Sequence, residues 1–178
     1  MRVSTRVRTM GDFSATVLVE RIRVPRDVFA LGFSKTIISA LRYPKAYVKA
    51  VIVDAAGESL CESSLWPAIE PREPMTPEDA DDLLLVWNSA QTLAAVPAEW
   101  RGRATVRFQL HLASTDEVLC TGGCPLNDFS AERNEIVTRA VSLSRESATE
   151  VIGTLAARAV PKRVRPPAER CPPKLYSC

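Results

Sequence analysis

The stretch "SAERNEIVTRAVSLSRESATEVIGTLAARA", residues 130–159, is the longest candidate element in the chain, and its period sets the fold class. Val137, Val141, Ser144, Ala148, Val151 and Leu155 recur at alternating four- and three-residue steps, which stacks side chains on one face of an α-helix. Ser130 offers a capping hydroxyl, and Glu135 precedes Arg139 by four residues in the favourable order. The spacing predicts one helix of roughly thirty residues, about 40 Å long at about 1.5 Å per residue. That exceeds what one domain needs, so its far end projects or packs on a neighbour.

Immediately upstream, "VLCTGGCPL" (118–126) raises a chemical question. Cys120 and Cys124 are spaced one residue wider than a redox C-x-x-C and follow a strand, so no helix N-terminus lowers a thiol pKa. A tetrahedral zinc site needs four ligands, and the second pair would be Cys171 and Cys178, well separated in a proline-rich tail. A phosphate-cradling loop carries more glycine and a following lysine. The stretch therefore reads as a turn between a strand and a helix start, where weak anion binding stays open.

Further upstream, "RATVRFQLHL" (103–112) alternates cleanly. Ala104, Val106, Phe108, Leu110 and Leu112 face one way; Arg103, Thr105, Arg107, Gln109 and His111 face the other. "VLCTG" pairs with it through the turn at "STDE". Thr76-Pro77-Glu78-Asp79 resembles a helix start, and Leu83, Leu84, Trp87, Ala90 and Leu93 supply a helical stripe up to Pro97. Prolines at 67, 71, 74 and 77 make the preceding segment a rigid connector. "KAYVKAVIVD" (45–54) and "ESLCESSLW" (58–66) flank a turn with Gly57, "SATVLVERIRV" (14–24) reads as a strand, and residues 26–43 read as a helix. The expected fold is α+β. A small, mainly antiparallel sheet of about five strands in two hairpins packs on two or three helices, with a long C-terminal helix and extended basic termini. Residues 13–159 would be the single domain, 1–12 a basic arm and 160–178 a basic proline-rich tail.

Charge is the other informative pattern. The net charge is +2, yet Arg2, Arg6 and Arg8 stand without an acid in the first eight residues. Lys162, Arg163, Arg165, Arg170 and Lys174 face only Glu169 at the other end. The surplus of seven at the ends leaves the body at −5, and residues 66–82 hold that deficit through Glu70, Glu73, Glu78, Asp79, Asp81 and Asp82 against Arg72. Such an arrangement bears on partners, not on fold. "EDADD" (78–82) could chelate a divalent cation, but acids in a first helical turn are what the helix dipole favours. His111, the one histidine, is the one neutral-pH base, with no nucleophile paired to it in sequence; it reads as an exposed sheet residue.

Apolar residues make up 46% of the chain and charged ones 25%, which excludes wholesale disorder. No apolar run approaches eighteen residues, so no membrane contact is expected, and no secretory signal opens the chain. A cytoplasmic or intra-particle location follows. The leading expectation is a non-enzymatic assembly or interaction subunit, homo-oligomeric or part of a viral, phage or other particle. Its basic arms would contact neighbours, with Glu78, Asp79, Asp81 and Asp82 as complement, and no cofactor or metal is called for. The alternative is a nucleic-acid-binding protein that meets phosphates through the arms and the Arg103, Arg107 and His111 face. A thiol- or metal-dependent enzyme built on Cys120 and Cys124 ranks third, and a small-molecule binding module is neither supported nor excluded.

Overall fold

A computed structural model describes residues 12–13, 15–29, 43–74, 81–129, 138–145 and 151–159. Among them are ten β-strands and no α-helix: β1 (Asp12–Phe13), β2 (Thr16–Pro25), β3 (Ala46–Val53), β4 (Ser64–Ile69), β5 (Asp82–Thr92), β6 (Val96–Pro97), β7 (Thr105–Leu112), β8 (Val118–Pro125), β9 (Thr138–Ser144) and β10 (Val151–Ala159). The α+β expectation is thereby overturned.

The long C-terminal helix is replaced by an antiparallel strand pair. Val141 and Leu155, two positions of the apparent helical stripe, are direct cross-strand partners. Val141 and Leu143 point inward while Ala140 and Ser142 point outward, so the true period is two. Small polar residues on the outer face let both periods fit the same letters. The helix expected over 77–97 fails similarly, since 82–92 is extended. Of the predicted stripe, Leu83, Trp87 and Leu93 are buried, but Leu84 and Ala90 are not, and Leu85 is buried instead. An unbroken run of apolar residues does not distinguish the two readings. Of the helix expected over 26–43, the described part is one 3-10 turn at Arg26–Phe29. Residues 30–42 and Ser130, like Arg2, Arg6, Arg8, Glu78, Asp79, Lys162, Arg163, Arg165 and Arg170, lie outside the described residues.

Eight strands form one antiparallel sheet in the order β4-β3-β7-β8-β9-β10-β2-β5, and β1 pairs separately with β6. The β8–β9 pairing is a single register pair, Thr121 with Ser144. The sheet therefore folds there into two four-stranded halves. Its outer edges, β4 and β5, return to each other. Trp66 Nε1 donates to the Ser89 carbonyl and Trp87 Nε1 to the Pro67 carbonyl, both at 2.8 Å. Arg72 and Leu84 exchange two backbone hydrogen bonds, also at 2.8 Å. These bonds supply partners for edge groups that would otherwise be open to a foreign strand. They also explain how Pro67, expected in a connector, sits in a strand: an edge position needs no ladder donor there.

Between the halves lies the core. Trp66, Phe108 and Phe129 meet at ring separations of 6.1–6.4 Å in tilted and edge-on geometries, surrounded by Val17, Val19, Leu85, Val106 and Leu155. Phe129 arrives on a second 3-10 turn, Leu126–Phe129. The two turns are tied to the ends of β9 by Arg145–Asp27 (3.3 Å) and Arg139–Asp128 (3.8 Å). No helix among the described residues is long and apolar enough to cross a membrane.

Candidate functional site

The "TGG" of the 118–126 stretch belongs to β8, which runs to Pro125 instead of turning. A β-carbon on Gly122 would stand 2.2 Å from the Ser142 carbonyl oxygen and 2.9 Å from Leu143, so glycine is what lets β9 cross over β8. Cys120 and Cys124 share the inward side of β8, opposite Leu110 and Val106. Burial pushes both thiols up to about 12, with Asp128 adding to the effect at Cys124. Thiols in that range stay protonated at neutral pH and are poor nucleophiles. Among the described residues no three His, Cys, Asp or Glu side chains group as metal ligands.

His111 is 5% exposed, so the exposed sheet histidine is corrected. Tyr47, its cross-strand partner on β3, stacks on the ring at 4.8 Å with planes 16° apart. Asp116, in the turn after β7 at φ +62°, closes the cluster from above. Its carboxylate accepts a hydrogen bond from the Tyr47 hydroxyl and lies 3.2 Å from His111 Nδ1, while its own carbonyl lies 3.1 Å from that nitrogen. Two acceptors at Nδ1 place the proton there, and Nε2 is left buried without a partner. The hydrogen bond to Asp116 raises the Tyr47 phenol to about 12, and the same bond lowers Asp116. An Asp–His pair aligned for catalysis would present a hydroxyl or thiol at Nε2. Here the tyrosine lies flat on the ring and bonds the acid. The cluster braces the β7–β8 turn against β3.

Arg103 does not join Arg107 on the β7 face. It lies in the turn before the strand, its N–H bonded to the Trp100 carbonyl at 3.0 Å. Arg107 does lie on the outer face, beside Lys49 and Gln109 of the two paired strands. Sequence reading missed Lys49, because a strand register is needed to bring residue 49 beside residue 109.

The larger concavity is on the opposite half. Across the outer face of β9, β10, β2 and β5 runs an open cleft of about 760 Å³. Small side chains, Ala140, Ala156 and Thr154, make it hollow, while Arg21 and Arg23 stand above them. Arg23 is bonded to Asp82. Arg21 has no ion pair among the described residues and stands across from Val86, which is 38% exposed. A bulge opposing Glu20 to Trp87 and Asn88, the last at φ +46°, shifts the phase of β2 and turns Arg21 to this face. Of the predicted acidic complement, Asp82 thus meets Arg23 of the body and Glu73 meets Arg26 at 3.2 Å. The Asp81 carbonyl accepts the Arg26 N–H at 2.9 Å.

No family model matches the chain, and no curated protein does. Solved structures do. A C2 domain-containing protein from an elicitor-responsive gene is 13% identical over 89% of this chain and 94% of its own, with a TM-score of 0.54. CC2D1B, which coordinates ESRCT-III activity during the mitotic reformation of the nuclear envelope, is 12% identical over 90% of this chain and 60% of its own, with a TM-score of 0.50. S. officinalis PLC21 is 12% identical over 89% of this chain and 16% of its own, with a TM-score of 0.51. At such identities the shared property is the path of the backbone, and the chain has the fold of a C2-like β-sandwich.

Proposed function

We propose that this chain is a non-catalytic assembly or interaction subunit that docks acidic protein segments on the cleft face of β9, β10, β2 and β5. The observation that carries the reading is Arg21, an exposed guanidinium without an ion pair among the described residues, placed between apolar Val86 and a hollow of small residues. Arginine beside apolar surface is the composition of interface anchors. Asp82 on Arg23 is an internal example of a carboxylate held at this face. Residues 66–82 carry six acids against one base, and the exposed acids among them that form no ion pair among the described residues, Glu70 and Asp81, let a second copy of the chain offer a suitable occupant. The basic extremities add long-range attraction that salt weakens.

The test is direct. A labelled peptide of residues 66–82 binds the full chain in fluorescence anisotropy, loses affinity as salt rises, and loses about tenfold or more with Arg21→Glu. Light scattering across the same salt series shows a mass above that of the monomer at low ionic strength. A monomer at every salt concentration that also ignores the peptide overturns the reading.

The nucleic-acid alternative draws on Arg107 with Lys49. It is weakened because Arg103 is out of register and Tyr47, the aromatic of that face, is already stacked on His111.

A further inference from the structure

We propose that the hollow between the turn after β3 and the outer face of β3 and β7 receives a phosphate monoester borne on a serine or threonine of a partner protein. Lys49 pairs with Gln109 across the two strands, and Val51 pairs with Arg107. The ammonium and the guanidinium therefore stand one diagonal step apart on the same face. The turn folds back over them. Gly57, at φ +88°, comes so close that a β-carbon there would lie 3.1 Å from Arg107 Nη2. Ser59 and Ser63 complete the rim of a hollow of about 260 Å³ that no acidic residue lines. Neither Lys49 nor Arg107 has an ion pair within 4.0 Å among the described residues, although the Lys49 charge is felt by the Asp116 carboxylate beyond the hollow.

Two half-buried cations on adjacent strands repel each other, and a bound dianion relieves that repulsion. The guanidinium fork matches two phosphate oxygens, the ammonium serves as a point charge, and the Ser63 hydroxyl and Gln109 amide offer further donors. Size narrows the ligand. Pockets for drug-sized molecules run from about 300 to 1,000 Å³, so this smaller, open hollow suits a phosphate and its ester carbon, with the rest of the ligand lying outside it. Leu65, 54% exposed and cross-strand from Lys49, offers apolar contact to a residue flanking the phosphate, which favours a peptide over the free ion. The site lies on the half of the sandwich away from the acidic-segment cleft and stands or falls separately from it.

The experiment is calorimetric titration of the full chain with an uncharged alanine-leucine peptide carrying one phosphoserine. Its unphosphorylated twin, inorganic phosphate, and phosphatidylcholine vesicles with and without phosphatidylserine are the comparison arms. The phosphopeptide binds in preference to all of them. Lys49→Ala and Arg107→Ala each weaken it about tenfold or more, and Arg21→Ala leaves it unchanged. Affinity rises as pH passes upward through about 6, where the phosphate takes its second charge. Equal binding of the twin, equal binding of free phosphate, indifference to both substitutions, or capture of phosphatidylserine vesicles with no phosphopeptide binding would each overturn the proposal.

Discussion

The two halves of the sandwich are built from the same antiparallel pairing and behave as opposites. In the half made of β4, β3, β7 and β8, the central β3–β7 ladder runs from Ala46 to Val53 without a register shift. Its outer face is filled by Tyr47, Lys49, Arg107 and Gln109. In the half made of β9, β10, β2 and β5, every pairing shifts register, and alanine and threonine floor the outer face beneath Arg21 and Arg23. A regular central ladder with large side chains gives a braced face with one small charged hollow, although the flanking β3–β4 and β7–β8 pairings each shift register once. Bulged ladders with small side chains give a broad open cleft. Small side chains on its outer face are what hollow the second half in space.

The comparison can be broken most severely where the halves share structure. Trp66→Ala removes a fully buried indole together with its bond to the Ser89 carbonyl, so the β4–β5 closure and the core are both lost. Truncations of this kind cost about 3–5 kcal/mol, measured as a fall in the denaturation midpoint. Gly122→Ala comes next. Its β-carbon meets the β9 backbone, which cannot give way as a side chain would, and the strain at the seam costs about 1–3 kcal/mol in the same measurement.

Smaller changes separate the halves. Ala156→Leu fills the cleft from a half-exposed position, so stability stays within about 0.5 kcal/mol while binding of the 66–82 peptide is lost and phosphopeptide binding is kept. Loss of both together would show that the faces are not independent.

The smallest effect is electrostatic. Tyr47 has its pKa raised to about 12 in the folded chain against 10.0 for the free phenol. Its contribution to stability is therefore fully present below about pH 10 and fades as pH rises toward about 12. Asp116, lowered in the fold, contributes above its ordinary carboxyl range and fades as pH falls through its folded value. In a phenolate absorbance titration, Tyr47 titrates near 12, and Asp116→Asn advances it without unfolding the chain. An unchanged titration curve in that variant would remove the brace.

Legibility follows the same division. Gly57 was readable as a turn, and the alternation through Val106, Phe108 and Leu110 was readable as a strand, because each is a local preference of few residues. "TRAVSLS" was equally a strand, but Val137 before it and Ala148 and Val151 after it carry a helical spacing through it in the sequence. Trp87 was seen as buried for the wrong reason, on a helical stripe instead of a strand face. Lys49 was not seen at all, and His111 was seen on the wrong side of solvent. Each of these depends on a partner strand far away in sequence.

By itself the sequence determined where charge is concentrated, that a sizeable core exists, and which short segments alternate. Composition and nearest neighbours are enough for those. Only tertiary structure decided that residues 82–92, 138–144 and 151–159 extend, that Asp116 covers His111, and that Lys49 stands beside Arg107. Strand register and bulges arise from pairing between distant segments, and a one-residue shift reverses which face a side chain serves.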